Sequence, residues 1–317
     1  MSKLLQSQGP LLALLVLVLL FSVLTQNFAS LRNLAAVLEA AAIPAIVAIG
    51  LTFVLMQASI DLSVEGIASL ANILLSITIA NSVTSTDIGL WAVPLVIGVG
   101  ILIGATSSML SIYVRMPSLI VTLGMWLTTV GLAALAYPGR LPQILDTRIT
   151  SLAIDKYWGL SSIVYLTLAL VVLGILVEKH TRFGRMSRAI GENEPVLIMS
   201  GIKVNRHKIA AFALAGAGYA LAGILLGARI GVGNPASGLG LLFPSIAACV
   251  LGGTLLSGGR GGVRQSMIGV LILVTLRNGL IQVGVDPLLQ SALEGAVIIV
   301  AVTGSTWHLR RKIRVIK

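Results

Sequence analysis

The sequence predicts an all-α integral membrane protein of about ten transmembrane helices with both termini in the cytoplasm. Three observations carry that expectation: the composition, the length of the apolar runs and the placement of the cations. Of 317 residues, 56% are hydrophobic and 10% charged, with a mean hydropathy of +1.00, whereas soluble domains carry about 25% charged residues. The high apolar content excludes disorder. The 34 glycines follow no three-residue period, which excludes collagen, and a single cysteine excludes a disulfide scaffold. Runs such as Leu11 to Leu24 and Ile163 to Val177 are nearly unbroken, unlike the short alternating segments of membrane barrels, so the spans are helices.

In chain order the apolar windows fall at 10–28, 34–56, 61–80, 88–110, 118–136, 160–178, 209–228, 240–256, 264–283 and 285–303. Each is near the ~20 residues a helix needs to cross the bilayer. The first follows Lys3, as a secretory leader would. Gln26-Asn27-Phe28-Ala29 lacks a small residue at the minus-three position of a cleavage site, so the window is read as an uncleaved helix.

An even number of spans puts both ends on one side. With the ends in the cytoplasm, the inner segments hold Lys3, Arg115, Lys179, Arg182, Arg185, Arg188, Lys203, Arg206, Lys208, Arg260 and Arg264, plus the tail cations Arg310, Arg311, Lys312, Arg314 and Lys317. The outer segments hold Arg32, Arg140, Arg148, Lys156 and Arg229. The positive-inside rule selects this orientation. It also gives the net charge of +11 a membrane reading: the cations flank spans and rest on anionic lipid, with no nucleic-acid partner implied.

Two connections are long. The outer one, 137–159, has Pro138, Gly139, Pro142, Asp146, Asp155 and Trp158, a turn-forming composition that suits a connector or a contact with an external partner. The inner one, 179–208, is the most polar stretch. There Asn193 or Glu194 can cap a helix that begins at Pro195, runs through Val196-Leu197-Ile198-Met199-Ser200 and stops at Gly201. A short helix at the cytoplasmic surface is expected, with apolar side chains that need a partner.

Motifs for chemistry on the chain itself are missing. No glycine is followed directly by lysine, so there is no P-loop. His180, His207 and His308 lie far apart at membrane edges, and Cys249 has no partner, so neither metal nor cofactor is expected. The chain is not read as an enzyme. The ionisable residues within spans are Glu39, Asp61, Glu65, Arg277 and Glu294, costly groups that are functional candidates by default. Asp61 and Glu65 lie four residues apart at the start of their span, where the helix dipole favours anions. Arg277 requires an aqueous cavity or a carboxylate such as Glu294, so both structural pairing and pathway lining stay open. Arg277, Asn278 and Gln282 are the pathway candidates, with Trp126 and Phe243 as aromatic ones. The glycine stretch 252–262 reads as a tight inner turn, and Gly216 to Gly223 as a surface for close helix packing.

Three blocks are similar to a known family. Ile60-Asp61-Leu62-Ser63-Val64 resembles its GGIDLSVG segment, with Ala58 and Ser59 in place of the glycine pair and Glu65 in place of the last glycine. Gly184-Arg185, Ala189-Ile190-Gly191-Glu192-Asn193, Ser200-Gly201-Ile202 and Lys208 resemble its AIGxN…SGI loop, with Pro195 where alanine is common. Val250-Leu251-Gly252-Gly253-Thr254, Gly258-Gly259 and Gly261 resemble its VLGGT…GGxG turn. The family is the permease subunits of bacterial ABC importers of the ribose, xylose and arabinose type, a branch that includes nucleoside and branched-chain amino-acid permeases. The resemblance covers nearly the whole chain and implies a single permease domain over 1–317 in the bacterial inner membrane, importing a monosaccharide or similar small polar solute. It further implies a cytoplasmic ATP-binding subunit docked on a coupling loop at about 179–208, centred on Gly191, Glu192, Asn193, Pro195 and Gly201. A periplasmic substrate-binding protein and a second permease subunit, identical or paralogous, complete the implied set. The alternatives are nucleoside or branched-chain amino-acid import, and an ion-coupled secondary transporter using the charges within spans.

Overall fold

The computed structural model describes residues 3–306. The tail cations at 310–317 and His308, which entered the orientation and ligand readings, lie outside the described residues. In chain order the helices are α1 (Lys3–Leu24), α2 (Leu31–Met56), α3 (Val64–Thr78), α4 (Ala92–Tyr113), α5 (Ser118–Ala136), α6 (Thr147–Ile154), α7 (Ser162–His180), α8 (Arg182–Met199), α9 (Val204–Ile230), α10 (Leu242–Gly252), α11 (Val263–Val283) and α12 (Pro287–Thr306). A small antiparallel hairpin, β1 (Lys156–Tyr157) and β2 (Leu160–Ser161), precedes α7.

The helix ends follow local chemistry. Ser30 caps α2 by accepting from Asn33 N, Asp146 caps α6, and Thr181 caps α8 by accepting from Gly184 N. Gly231, Gly253 and Gly284 end α9, α10 and α11 in the left-handed conformation.

The chain is an all-α, multi-pass membrane protein. Among the described residues six helical stretches are long and apolar enough to cross a membrane: α2, Gly89–Tyr113, α5, α7, α9 and α11. Two of the expected windows are not continuous helices. Window 61–80 holds only the 15 residues of α3, and window 240–256 only the 11 residues of α10, lengths of about 22 and 16 Å against a hydrocarbon core of ~30 Å. Non-helical backbone fills the remainder, and at membrane depth such backbone needs protein partners for its polar groups. The inner stretch 179–208 also differs from a loop: α7 continues to His180, α8 occupies most of it, and α9 starts at Val204.

The long helix α9 packs against α2, α3 and α4. Its small residues make this possible. A Cβ on Gly216 would strike the Gly100 carbonyl of α4, one on Gly223 the Ala68 carbonyl of α3, and one on Gly50 of α2 would press on Ala215. The packing surface expected at 216–223 is therefore present, with backbones in contact on two sides of one helix. A second core lies between α2, α10 and α11, around Leu51, Leu55, Cys249 and Val270.

On the far side from α8 the connection 137–159 is ordered into a cover. Residues 142–145 lie between two other strips of chain: Leu145 N donates to Ala80 O at 2.9 Å, Ile144 N to Gly231 O at 2.9 Å, and Gly233 N to Pro142 O at 2.8 Å. Asp146 then starts α6, accepting from Arg148 N at 2.9 Å and pairing with the Arg148 guanidinium at 2.6 Å. That hydrogen bond from Arg148 holds the Asp146 carboxyl below the ordinary carboxylate range. A lowered folded value stabilises above the unfolded pKa of about 4 and is lost as pH falls through the folded value. Proteolysis within 137–159 is accordingly expected to be unchanged from pH 7 to 5 and to rise only in stronger acid. Asp146→Ala, which removes the cap as well, is expected to cost about 1 kcal/mol of local stability at neutral pH, read by the same proteolysis.

Candidate functional site

Helix α3 is almost wholly buried, yet one face of it is polar: Glu65, Ser69, Asn72 and Ser76, at helical spacing. Glu65, Ser69 and Asn72 hold the non-helical segment 232–241, which descends beside α3 before α10 begins, while Ser76 donates to Ile73 O of its own helix. Asn72 Oδ1 accepts from Asn234 N at 2.7 Å, while its amide donates to Gly223 O at 3.2 Å. Ser69 Oγ accepts from Gly238 N at 3.0 Å. Glu65 Oε1 accepts from Gly240 N at 2.9 Å and from Leu242 N at 3.2 Å, at the start of α10. The ladder satisfies backbone that α10, being short, leaves unpaired, and its carboxylate lies at the positive end of the α10 dipole.

Two of the intramembrane acids therefore cap helices, in ways the spacing did not suggest. Glu65 sits in the first turn of α3 but caps α10. Glu39 of α2 receives Ser161 N and Oγ, both at 2.7 Å, at the start of α7, with Arg229 Nη2 at 3.9 Å. Asp61 is not on a shared helical face with Glu65, because α3 begins at Val64. Its Oδ1 takes Ser63 N at 2.9 Å and Ser63 Oγ at 2.6 Å. Asp61 Oδ2 and the Tyr219 hydroxyl are buried facing each other, with no other hydrogen-bond partner among the described residues.

Around this ladder few polar groups are free. Ser237 Oγ, Ser245 Oγ and Trp126 Nε1 are buried and unpartnered. Trp126 lies on α5 where its backbone meets α3: a Cβ on Gly66 would press on Trp126 O and the Thr129 hydroxyl. Phe243, in the first turn of α10, is 72% exposed. The arrangement offers a break in the helix packing with hydrogen-bonding backbone nearby.

The other pathway candidates form a separate group. Gln282 Nε2 donates to Asn33 Oδ1 at 2.6 Å and Asn278 Oδ1 at 3.2 Å, and Gln282 Oε1 accepts from Thr25 Oγ1 at 3.2 Å. This clasps α1, α2 and α11 at one end. Arg277 Nε lies 3.8 Å from Glu294 Oε1 of α12, the carboxylate anticipated for it.

At the opposite end three pieces of backbone meet. Gly259 N donates to Met56 O at 3.0 Å, and a Cβ on Gly191 of α8 would strike both Met56 O and Gly259 N. Ala58, at φ +55°, lies against Gly258, at φ +81°. Glu178 at the end of α7 ties the same region together, accepting from Arg188 Nη2 and from Val263 N, both at 2.7 Å. Gln57 Nε2 reaches Ser187 Oγ of α8 at 2.8 Å. Through residues 57–63, α8 is thus joined to the start of α3.

The coupling candidates divide in two. Gly191 and Glu192 belong to this junction, since Gly191 is wedged in it and the Glu192 side chain lies against Gly259. Asn193 leaves helical geometry at φ −159°, ψ 82° and its Oδ1 accepts from Val196 N at 3.3 Å. It caps a terminal turn that starts with Glu194 and Pro195. That turn ends at Gly201, φ +77°, with Gly201 N donating to Ile198 O and Ile202 N to Leu197 O, the two bonds of a Schellman stop. Glu194 is fixed to Lys208 at 2.7 Å. Val196, Ile198 and Met199 are 52%, 56% and 88% exposed, an apolar face without a partner among the described residues.

Sequence reasoning missed Ser69, Asn72, Glu178 and Asn234. For the first two a signal existed: four polar residues on one face of an apolar span.

The family described as branched-chain amino acid transport system / permease component matches residues 33–302. The chain is 35% identical over 306 residues to the ribose import permease protein RbsC of Escherichia coli (strain K12), covering 94% of this chain and 93% of that protein. It is 36% identical over 300 residues to the ribose import permease protein RbsC of Bacillus subtilis (strain 168), covering 94% and 92%. To the L-arabinose transport system permease protein AraH of Escherichia coli (strain K12) it is 32% identical over 305 residues, covering 96% and 92%.

Proposed function

The chain belongs to the family of branched-chain amino acid transport system permease components, and from that membership we propose that it is the transmembrane permease subunit of an ATP-driven sugar importer in the bacterial inner membrane. Its substrate is a monosaccharide or similar small polar solute. The observation that carries the reading is similarity to ribose and arabinose import permeases along nearly the whole chain. The chain is not itself an enzyme; ATP is hydrolysed by a cytoplasmic partner, solute is delivered by a periplasmic binding protein, and a second permease copy or paralogue completes the pathway. Ten membrane segments, two of them broken, then leave both ends in the cytoplasm. Uptake into vesicles should cease when the partner ATPase is inactivated, and uptake that persists would refute the reading.

The ATPase docks on the second half of α8, where Val196, Ile198 and Met199 supply an apolar face and Asn193, Pro195 and Gly201 fix its two ends. Gly201→Val tests this. A Cβ there has nothing within 4 Å, so the cost is backbone strain alone, about 1–2 kcal/mol for a residue in the left-handed region. The expected result is normal insertion with reduced substrate-stimulated ATP hydrolysis in the assembled complex, and a milder defect for Gly201→Asn. Normal stimulation in both would remove the docking role.

The pathway runs beside the ladder of α3 and segment 232–241, past Ser237 and Phe243. Arg277, Asn278 and Gln282 border it at the end of α11. Asn278→Leu removes an acceptor from the clasp and is expected to cost about 1 kcal/mol in thermal stability. Slower uptake at unchanged stability would give Asn278 a direct contact with solute; unchanged uptake would leave it to the clasp alone.

A further inference from the structure

A groove of 190 Å³ lies between α2, α4, α7 and α9, away from the ladder and the junction. Its lining is apolar throughout. Ile46, Gly50, Phe53 and Gly174 are buried and form the floor, and Leu173 and Leu214 stand exposed as its lips. The lining recurs at helical spacing, as Leu170, Leu173, Gly174 and Val177 on α7 and as Leu214, Ala217, Gly218 and Leu221 on α9, so it runs along the helices for about 10 Å. A Cβ at Gly174 would come within 3.1 Å of Ile49 and one at Gly218 within 3.4 Å of Ile46 O, so larger side chains there would crowd the lining.

One end of the groove reaches the membrane edge that carries α8. Phe53, on the floor, packs against Phe183 of α8 with ring centroids 5.2 Å apart and the planes tilted by 41°. Beyond Val177 the chain continues into Lys179 and Arg182, and α9 enters through Arg206 two turns before Leu214. Lys179, Arg182 and Arg206 are exposed, and none forms an ion pair among the described residues, whereas the nearby Arg188 and Lys208 are paired with Glu178 and Glu194.

We infer that the groove holds one acyl chain of an anionic phospholipid, whose phosphate is met by Arg182 and Arg206. An apolar channel with free cations at its mouth matches the two ends of such a lipid. A zwitterionic lipid fills the channel equally well but gains less from the cations, each of which favours the anionic headgroup about fivefold near the surface. The inference does not depend on the transported solute.

The test uses the assembled complex in vesicles of phosphatidylcholine doped with a photoreactive lipid that has a diazirine in its acyl chain and either a phosphatidylglycerol or a phosphatidylcholine headgroup. With the glycerol headgroup, labelling is expected to concentrate on 170–177 and 214–221, at least about fivefold above the choline probe. Arg182→Gln with Arg206→Gln should remove the difference between probes, and Ala217→Phe should remove the labelling with uptake retained. Equal labelling by both probes in the unmodified complex would overturn the inference. So would labelling no stronger than on the exposed Leu15 and Leu19 face of α1, which means annular lipid only. Crosslinks from a photoreactive residue at 214 to a second polypeptide would overturn it as well, because the groove would then be a protein interface. The comparison of the two probes on the unmodified protein stands even where a variant fails to assemble.

Discussion

Glu65→Leu is expected to abolish uptake and to destabilise the permease by several kcal/mol. Leucine fills much of the same volume, so the loss is of hydrogen bonds more than of packing. Two backbone N–H groups, those of Gly240 and Leu242, lose their acceptor, and an unsatisfied buried donor costs about 1–3 kcal/mol. Water cannot readily replace the carboxylate at Leu242, which is 2% exposed. Glu65→Gln keeps an amide oxygen at the same reach and is expected to retain a folded protein with reduced uptake. Thermal unfolding of the purified permease, beside uptake in vesicles, distinguishes these outcomes. A leucine variant with unchanged melting and unchanged uptake would show that the ladder of α3 does not hold segment 232–241 in place.

Gly191→Val is expected to separate ATP hydrolysis from transport. The added side chain must occupy space taken by Met56 O and Gly259 N, and neither atom belongs to a flexible side chain that can turn away. Overpacking of this kind costs about 1–3 kcal/mol, occasionally more, and the relaxation open to the chain is to push α8 off the end of α2 and the glycine turn. The apolar turn 194–200 does not depend on that contact, so docking of the ATPase should survive while its movement no longer reaches residues 57–63 and α3. The expected signature is an assembled complex that hydrolyses ATP without stimulation by substrate and without uptake. Loss of the assembled complex would instead assign Gly191 to folding, and normal coupled transport would remove the junction from the mechanism.

Membrane class and the local helix signals were legible in the residues because they depend on near neighbours. Hydropathy over a window reports the free energy of taking side chains out of water. The capped turn ending at Gly201 was readable because Asn193, Pro195 and Gly201 act within one segment: a side-chain acceptor, a fixed φ and a permitted left-handed stop. The glycine turn at 252–262 and the packing glycines of α9 were readable for a similar reason, since glycine suits positive φ and touching backbones better than any other residue type. The three blocks of family resemblance added the partners, which composition alone did not supply.

Other features were decided only when distant segments came together. Windows 61–80 and 240–256 are as apolar as continuous spans, but hydropathy does not register whether a segment satisfies its own backbone. Segment 232–241 can leave helical geometry inside the membrane because Glu65, Ser69 and Asn72 accept its N–H groups from as far as 175 residues away in sequence. The roles of Glu39, for α7, and Glu178, joining α8 to α11, are of the same kind. Gln282 looked like a free polar group on a span until α1 and α2 brought Thr25 and Asn33 to it. In a medium without water a polar group must find its partner within the protein, and which partner it finds depends on the packing of whole helices.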